Sequence, residues 1–207
     1  MKHPARSGTR SLLQEAAAIG VQIGHDQALL LDRFEQMLLE RAIPLGLVAS
    51  GDARRIRRRH VLDSLRATLA VDVEVEDAYD LGSGAGLPGL VVAIARPDIH
   101  FALVEPRRRR IAFLESAVES LGVGNAEVLA ARAEELDKPV DLCLARAFGS
   151  VDRTWRVASP LLRPGGSLVY FAGEGFDPAQ VPEGAAARLL AGPVLESAGP
   201  LVIMTQQ

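Results

Sequence analysis

One stretch, Asp80-Leu81-Gly82-Ser83-Gly84-Ala85-Gly86-Leu87-Pro88-Gly89, has the residue types and spacing of a ligand-binding turn. Glycines at alternate positions let a chain bend sharply and bring its backbone against a ligand, because no Cβ intrudes. The turn joins an apolar strand over 78–81 to a helix over 88–95, the place where α/β sheets bind ligands. Gly84, Gly86 and Gly89 also satisfy the G-x-G-x-x-G spacing of dinucleotide sites, a pattern that alone is weakly specific. Glu105 follows at about the 20-residue offset where a carboxylate accepts hydrogen bonds from ribose hydroxyls.

Two cofactor classes compete for such a turn, since a nicotinamide dinucleotide and S-adenosylmethionine both carry an adenosine that Glu105 could hold. Asp80 and Gly82 discriminate between them. An acid closing the strand suits the zwitterionic, sulfonium-bearing end of S-adenosylmethionine and repels a pyrophosphate. A further acid-rich turn, Arg132-Ala133-Glu134-Glu135, could meet the adenine amino group through Glu134 and the Ala133 backbone. By itself that turn also reads as a helix start with favourable acids. Together the three features favour the methyl donor over a structural turn or a dinucleotide site.

Positive charge is concentrated locally. Arg54, Arg55, Arg57, Arg58 and Arg59 fall within six positions, and Arg107 to Arg110 are consecutive, although the net charge is -3. Such clusters can bind phosphate without making the whole molecule basic. The single cysteine, Cys143, lies in an apolar run and reads as a small buried hydrophobe, so neither a disulfide nor a metal is expected.

These residues need a scaffold. At 207 residues and 48% hydrophobic content, the chain suits one full core with a small appendage. Residues 1–10 read as frayed. Helices are expected over 12–19 capped by Ser11, from Asp26 with Leu30, Phe34 and Leu38 inward, and over 52–69; these form a helical extension over 11–70. From 71 to 207 strands alternate with helices: strands over 78–81, 99–105, 126–131, 140–145 and 167–172, helices over 88–95, 107–121 and 151–162, and a closing pair over 188–196 and 201–205. That alternation implies an α/β, doubly wound, mostly parallel sheet. No stretch is long and apolar enough to span a bilayer, and the polar N-terminus leads into no signal-like core, so a cytoplasmic protein without a membrane partner is expected.

The ordered combination of motifs resembles the GidB or RsmG family, which methylates N7 of a guanine in small-subunit ribosomal RNA. The matching segments are Arg59-His60-Val61-Leu62-Asp63-Ser64, the turn from Asp80 to Gly89, Arg109-Arg110, Phe113-Leu114, Arg132-Ala133-Glu134-Glu135 and Ala145-Arg146-Ala147-Phe148-Gly149-Ser150. The resemblance implies a seven-stranded, class I S-adenosylmethionine methyltransferase fold. It implies that Gly82 and Leu87 line the methionine side, that Glu105 holds the ribose, that Ala133 and Glu134 meet the adenine, and that Arg146 contacts the cofactor; Asp80 and Gly84 belong to the same pocket. His60, Asp63 and Ser64 would lie near its mouth. The sequence departs from the family at Gly46-Leu47-Val48, where Asn-Leu-Thr or Asn-Leu-Ser is usual, and at Ala172, where a lysine often stands.

Guanine N7 carries a free lone pair, so transfer to it needs alignment and no general base. Arg146 and Phe148 are the candidate positioning residues, with Phe148 either stacking on the base or serving the core. Arg54, Arg55, Arg58, Arg59 and His60 are candidates for RNA contact, His60 also for tying helix to sheet. The expected partner is ribosomal RNA or the small ribosomal subunit, engaged by a monomer. Alternatives are a methyltransferase of the same fold acting on a small molecule or another RNA, a nicotinamide-dependent oxidoreductase, and a non-catalytic binding module.

Overall fold

The alternating apolar segments form a seven-stranded sheet in the order β3-β2-β1-β4-β5-β7-β6, in a computed structural model that describes residues 5–206 except 73, 184, 191–194 and 196–197. The strands are β1 (Asp77–Leu81), β2 (His100–Val104), β3 (Ala126–Leu129), β4 (Val140–Arg146), β5 (Leu162–Phe171), β6 (Ala186–Leu190) and β7 (Leu201–Thr205). β1 pairs in parallel with β2 and β4, and β4 with β5, whereas β7 runs antiparallel between β5 and β6. The winding reverses between β1 and β4, so their carboxyl ends open a crevice there.

Three helices follow strands in the expected alternation: α4 (Gly89–Ala95), α5 (Arg108–Leu121) and α6 (Val151–Ala158). Each has a local cause. α5 stops where Gly122 takes φ 65°, a left-handed cap. α6 begins where the Ser150 side chain accepts the Arg153 amide. Every residue of α4 is buried, because α2 (His25–Met37) and α3 (Asp63–Leu65) cover the side turned away from the sheet.

The N-terminal helices are therefore part of the core. Leu12, Leu31 and Phe34 join Leu90, Phe101, Leu114 and Ile203 in one hydrophobic cluster. A second cluster on the opposite face joins Tyr79, Val104, Cys143 and Met204 to Val151 and Ala158 of α6.

Several expected boundaries shift. α1 spans Ala5–Ala18, so the helix starts before Ser11, whose hydroxyl instead donates to Glu15 Oε1 at 2.6 Å. α2 is capped by Gly24, whose N–H reaches the Gln27 side chain, and Asp26 lies inside the first turn. The expected helix over 52–69 is a composite of a 3-10 turn (Ser50–Arg55), a π turn (Arg57–Leu62), α3 and another 3-10 turn (Arg66–Ala70). β5 begins at Leu162, ahead of the expected 167, and the pairing shifts register between Val140 and Leu142. β6 starts at Ala186; of the strand expected over 188–196, residues 191–194 and 196 lie outside the described ones.

Candidate active site

The glycine-rich turn leaves β1 and doubles back. Gly82 and Ser83 both donate to the Val104 carbonyl, at 2.9 and 3.0 Å, which ties the bend to the end of β2. Gly82 (φ 73°), Gly84 (φ 59°) and Gly86 (φ 83°) are all left-handed. A Cβ on Gly82 would lie 3.0 Å from Phe148 Cδ2, and one on Gly86 would lie 3.2 Å from Phe34 Cζ. The first glycine keeps a ligand space clear, and the last lets the turn sit against the helical extension.

Asp80 is buried and points along the chain to α4, where it accepts the Gly89 N–H at 3.0 Å. A Cβ at Gly89 would fall 2.4 Å from its carboxylate, so that glycine is required by the contact. Burial pushes the Asp80 carboxyl up to about 7, against the lowering effect of its hydrogen bonds to Ser83 and Gly89. Asp80 thus braces the turn from below.

Glu105, also buried, closes the turn from the side. Its Oε2 accepts the Gly84 amide at 3.1 Å and faces Arg110 Nη1 at 3.3 Å, and its Oε1 accepts the Arg107 amide at 3.0 Å. A carboxylate has about four acceptor sites, so capacity remains for a ligand's hydroxyls. A cleft of about 290 Å³ opens here, lined by Gly82, Glu105, Ala133, Glu134, Phe148 and Arg153, among others. Glu134 is half-exposed and pairs with Arg153 at 3.6 Å. The Phe148 ring flanks the cleft with the Arg153 guanidinium carbon 5.9 Å from its centroid. Gly82, Glu105, Ala133 and Glu134, named from sequence, thus converge on one cleft. Leu87 does not line it; it packs against the main core cluster.

Arg146 points elsewhere. From the end of β4 its Nη2 donates to the Arg59 carbonyl at 3.2 Å and to His60 Nδ1 at 2.8 Å, and its Nη1 lies 3.6 Å from Asp63 Oδ2. Arginine has donors only, so His60 Nδ1 accepts and its Nε2–H donates to Asp52 Oδ2 at 3.0 Å. Burial and then Arg146 lower the His60 pKa, which keeps the ring neutral in this tautomer. Asp63 is raised by burial, against the pull of Arg146 and Arg66. The side chains of Asp63 and Arg146 line a second cleft of about 380 Å³, with Arg58, Tyr170 and Ala172.

Ala147 borders both clefts. It has φ 54°, in the left-handed region that a non-glycine residue seldom adopts. The loop is held by the Tyr170 hydroxyl, which donates to the Gly149 carbonyl at 2.9 Å. Nothing in an Ala-Phe-Gly run announces this backbone. Asp52, Arg66 and Tyr170 are likewise site residues that the sequence did not single out.

The basic cluster divides. Arg57 turns inward to Glu35 at 2.6 Å, Asp32 at 2.8 Å and Glu15 at 3.6 Å. Arg54 and Arg58 are exposed, while Arg55 and Arg59, also exposed, each lie 3.3 Å from Asp52. His60 is buried.

A family model described as "GidB: rRNA small subunit methyltransferase G" matches residues 27–181. Curated relatives carry the name "Ribosomal RNA small subunit methyltransferase G". One from Acidiphilium cryptum is 43% identical over 71% of this chain and 69% of its own length. One from Leifsonia xyli is 40% identical over 78% of this chain and 76% of its own. One from a Nocardioides species is 42% identical over 72% of this chain, and the match spans only 60% of that relative's length. Among solved structures, a SAM-dependent methyltransferase from Aquifex aeolicus aligns with a TM-score of 0.57 at 14% identity, covering 78% of this chain and 97% of that one. The methyltransferase SibL aligns at 0.53 and 14% identity, covering 65% and 51%. At those identities the likeness shows the fold alone.

Proposed function

Because this chain belongs to the GidB family, rRNA small subunit methyltransferase G, we propose that it transfers a methyl group from S-adenosylmethionine to N7 of a guanine in small-subunit ribosomal RNA. The observation that carries this reading is the meeting of two clefts at Ala147, one built for a nucleoside-bearing cofactor and one beside it for the acceptor.

The first cleft fits the cofactor. The space beside Gly82 is one that a side chain would fill, and Glu105 keeps acceptor capacity next to it. S-adenosylmethionine supplies an electrophilic methyl on a sulfonium. The Gly82–Gly84 bend receives the amino-acid end, with Asp80 and Leu87 supporting the turn. Glu105 accepts from the ribose hydroxyls, and the Ala133 backbone with Glu134 faces the adenine.

The residues around Ala147 hold the acceptor in line. As the N7–methyl bond forms, the sulfur–methyl bond breaks and its electron pair stays on sulfur. No proton moves, so no general base is needed, and rate comes from alignment and from water exclusion. Phe148 flanks the transfer region, where an aromatic face can stabilise the cationic product base. Arg146 acts from the acceptor side: it holds His60 and Asp63 in place. Arg54, Arg55, Arg58 and Arg59 hold RNA phosphates. The helices of 11–70 form the RNA-facing side of the 71–207 transferase unit, and the protein works as a monomer in the cytoplasm.

Incubation with labelled S-adenosylmethionine and small-subunit RNA or subunits, followed by mapping of the labelled nucleotide, tests the proposal. Label at a guanine N7 is expected. Label only on a small molecule, or binding of a nicotinamide dinucleotide in place of the methyl donor, overturns it.

A further inference from the structure

We propose that the second cleft is a guanine pocket in which Arg146 and Asp63 read the Watson–Crick edge of the base and leave its N7 free for transfer. This rests on the function proposed above and names the residues that select the base.

Asp63 is the unusual group in the cleft. Its carboxylate faces two arginines, Arg66 Nη1 at 3.2 Å from Oδ1 and Arg146 Nη1 at 3.6 Å from Oδ2. Yet among the described residues it accepts no hydrogen bond from either, for both Nη1 atoms lack a hydrogen-bond partner. The buried side-chain atoms left without a partner among the described residues are Ser64 Oγ, Arg66 Nε and Nη1, and Arg146 Nη1. All belong to the residue after Asp63 or to its two ion-pair neighbours. Native interiors seldom leave such groups unpaired, least of all clustered. At about 380 Å³ the cleft is in the size range of small-ligand sites.

The order of the groups defines the ligand. Arg146 Nη1, Asp63 Oδ2 and Asp63 Oδ1 make a row of donor, acceptor, acceptor. Cytosine presents the same row to guanine, whose O6 accepts while N1–H and the 2-amino group donate. Adenine offers a donor at position 6 and an acceptor at N1, so it would place donor against donor and lone pair against lone pair. With this edge engaged, N7 lies on the far side of the ring, free to face Ala147 and the first cleft. The contact also grows during reaction. Methylation makes the ring cationic and its N1–H a stronger donor, so an ionised Asp63 holds the transition state more firmly than the ground state.

The test uses small-subunit RNA assembled by ligation with guanosine or inosine at the methylated position. Inosine keeps N7, O6 and N1–H and lacks only the 2-amino group. With the unaltered protein, kcat/KM is expected to fall about tenfold or more on inosine RNA, the scale of one hydrogen bond to a charged group. Asp63→Asn should be slower on both and treat them alike, with S-adenosylmethionine affinity unchanged by calorimetry. Equal kcat/KM on both RNAs with the unaltered protein overturns the pocket while leaving N7 transfer standing. Guanine-to-inosine discrimination that survives in Asp63→Asn also overturns it. No methylation of any RNA by a protein that still binds the donor removes the family-based function, and the pocket with it. If Asp63→Asn does not fold, the inosine comparison decides alone.

Discussion

Asp80 couples the cofactor turn to pH. Its carboxyl is raised to about 7 in the folded chain and sits near 3.9 when unfolded. Between those values the folded state holds a proton that the unfolded state has released, so stability falls as pH rises from about 4 to 7, by up to ~1.4 kcal/mol per pH unit. Asp80→Asn should flatten that part of the stability profile, measured by thermal unfolding from pH 4 to 8. Gly82 makes a second prediction at this scale. Gly82→Ala puts a Cβ 3.0 Å from Phe148 at φ 73°, and should weaken S-adenosylmethionine binding about tenfold or more by calorimetry, a loss of roughly 1.4 kcal/mol. Gly46 (φ 69°) has nothing within 4 Å of a built Cβ. Gly46→Ala therefore carries the same backbone strain, about 1–3 kcal/mol, and should leave cofactor affinity unchanged.

At the level of elements, the end of β4 is fastened to the π turn by charge rather than by apolar contact. Arg146 joins His60 and Asp63, and Arg66, itself buried, continues to the Gly199 carbonyl at 2.8 Å. A Cβ on Gly199 would meet the Ala172 carbonyl oxygen at 2.3 Å, so the chain before β7 lies against the exit of β5. Removing one member leaves buried charge uncompensated. Arg146→Ala should cost about 3–5 kcal/mol in denaturant unfolding and lower activity with it. Arg146→Met, which fills the space without restoring the contacts, should not rescue activity. The expectation that Arg146 touches the cofactor came from a motif; in the fold its guanidinium lies on the acceptor side of Ala147.

Across the whole molecule, a chain of net charge -3 presents a local basic face where Arg54, Arg55 and Arg58 are exposed. Replacing all three with alanine should weaken RNA binding and reduce the slope of log affinity against log salt by up to about 2, at roughly 0.7 per phosphate contact. S-adenosylmethionine affinity should stay as it was, because none of the three lines the first cleft. Filter binding across a salt series checks the first outcome and calorimetry the second. Arg57→Ala should behave oppositely, lowering stability far more than the salt slope, because its partners are Glu15, Asp32 and Glu35.

The sequence by itself determined the alternation of strands and helices, the bend at Gly82 and Gly84, the acid at Glu105 and the turn at Ala133. These depend on local periodicity and on short offsets that connectivity holds at the strand ends. Tertiary structure alone decided which arginine faces RNA and which is buried. Arg57 and Arg58 are neighbours in one basic run, and an irregular succession of 3-10 and π turns sends one to a carboxylate cluster and the other to a cleft. It also decided that Asp63 and Arg146, far apart in the chain, share a wall, because only the packing of the helical extension on the sheet brings them together.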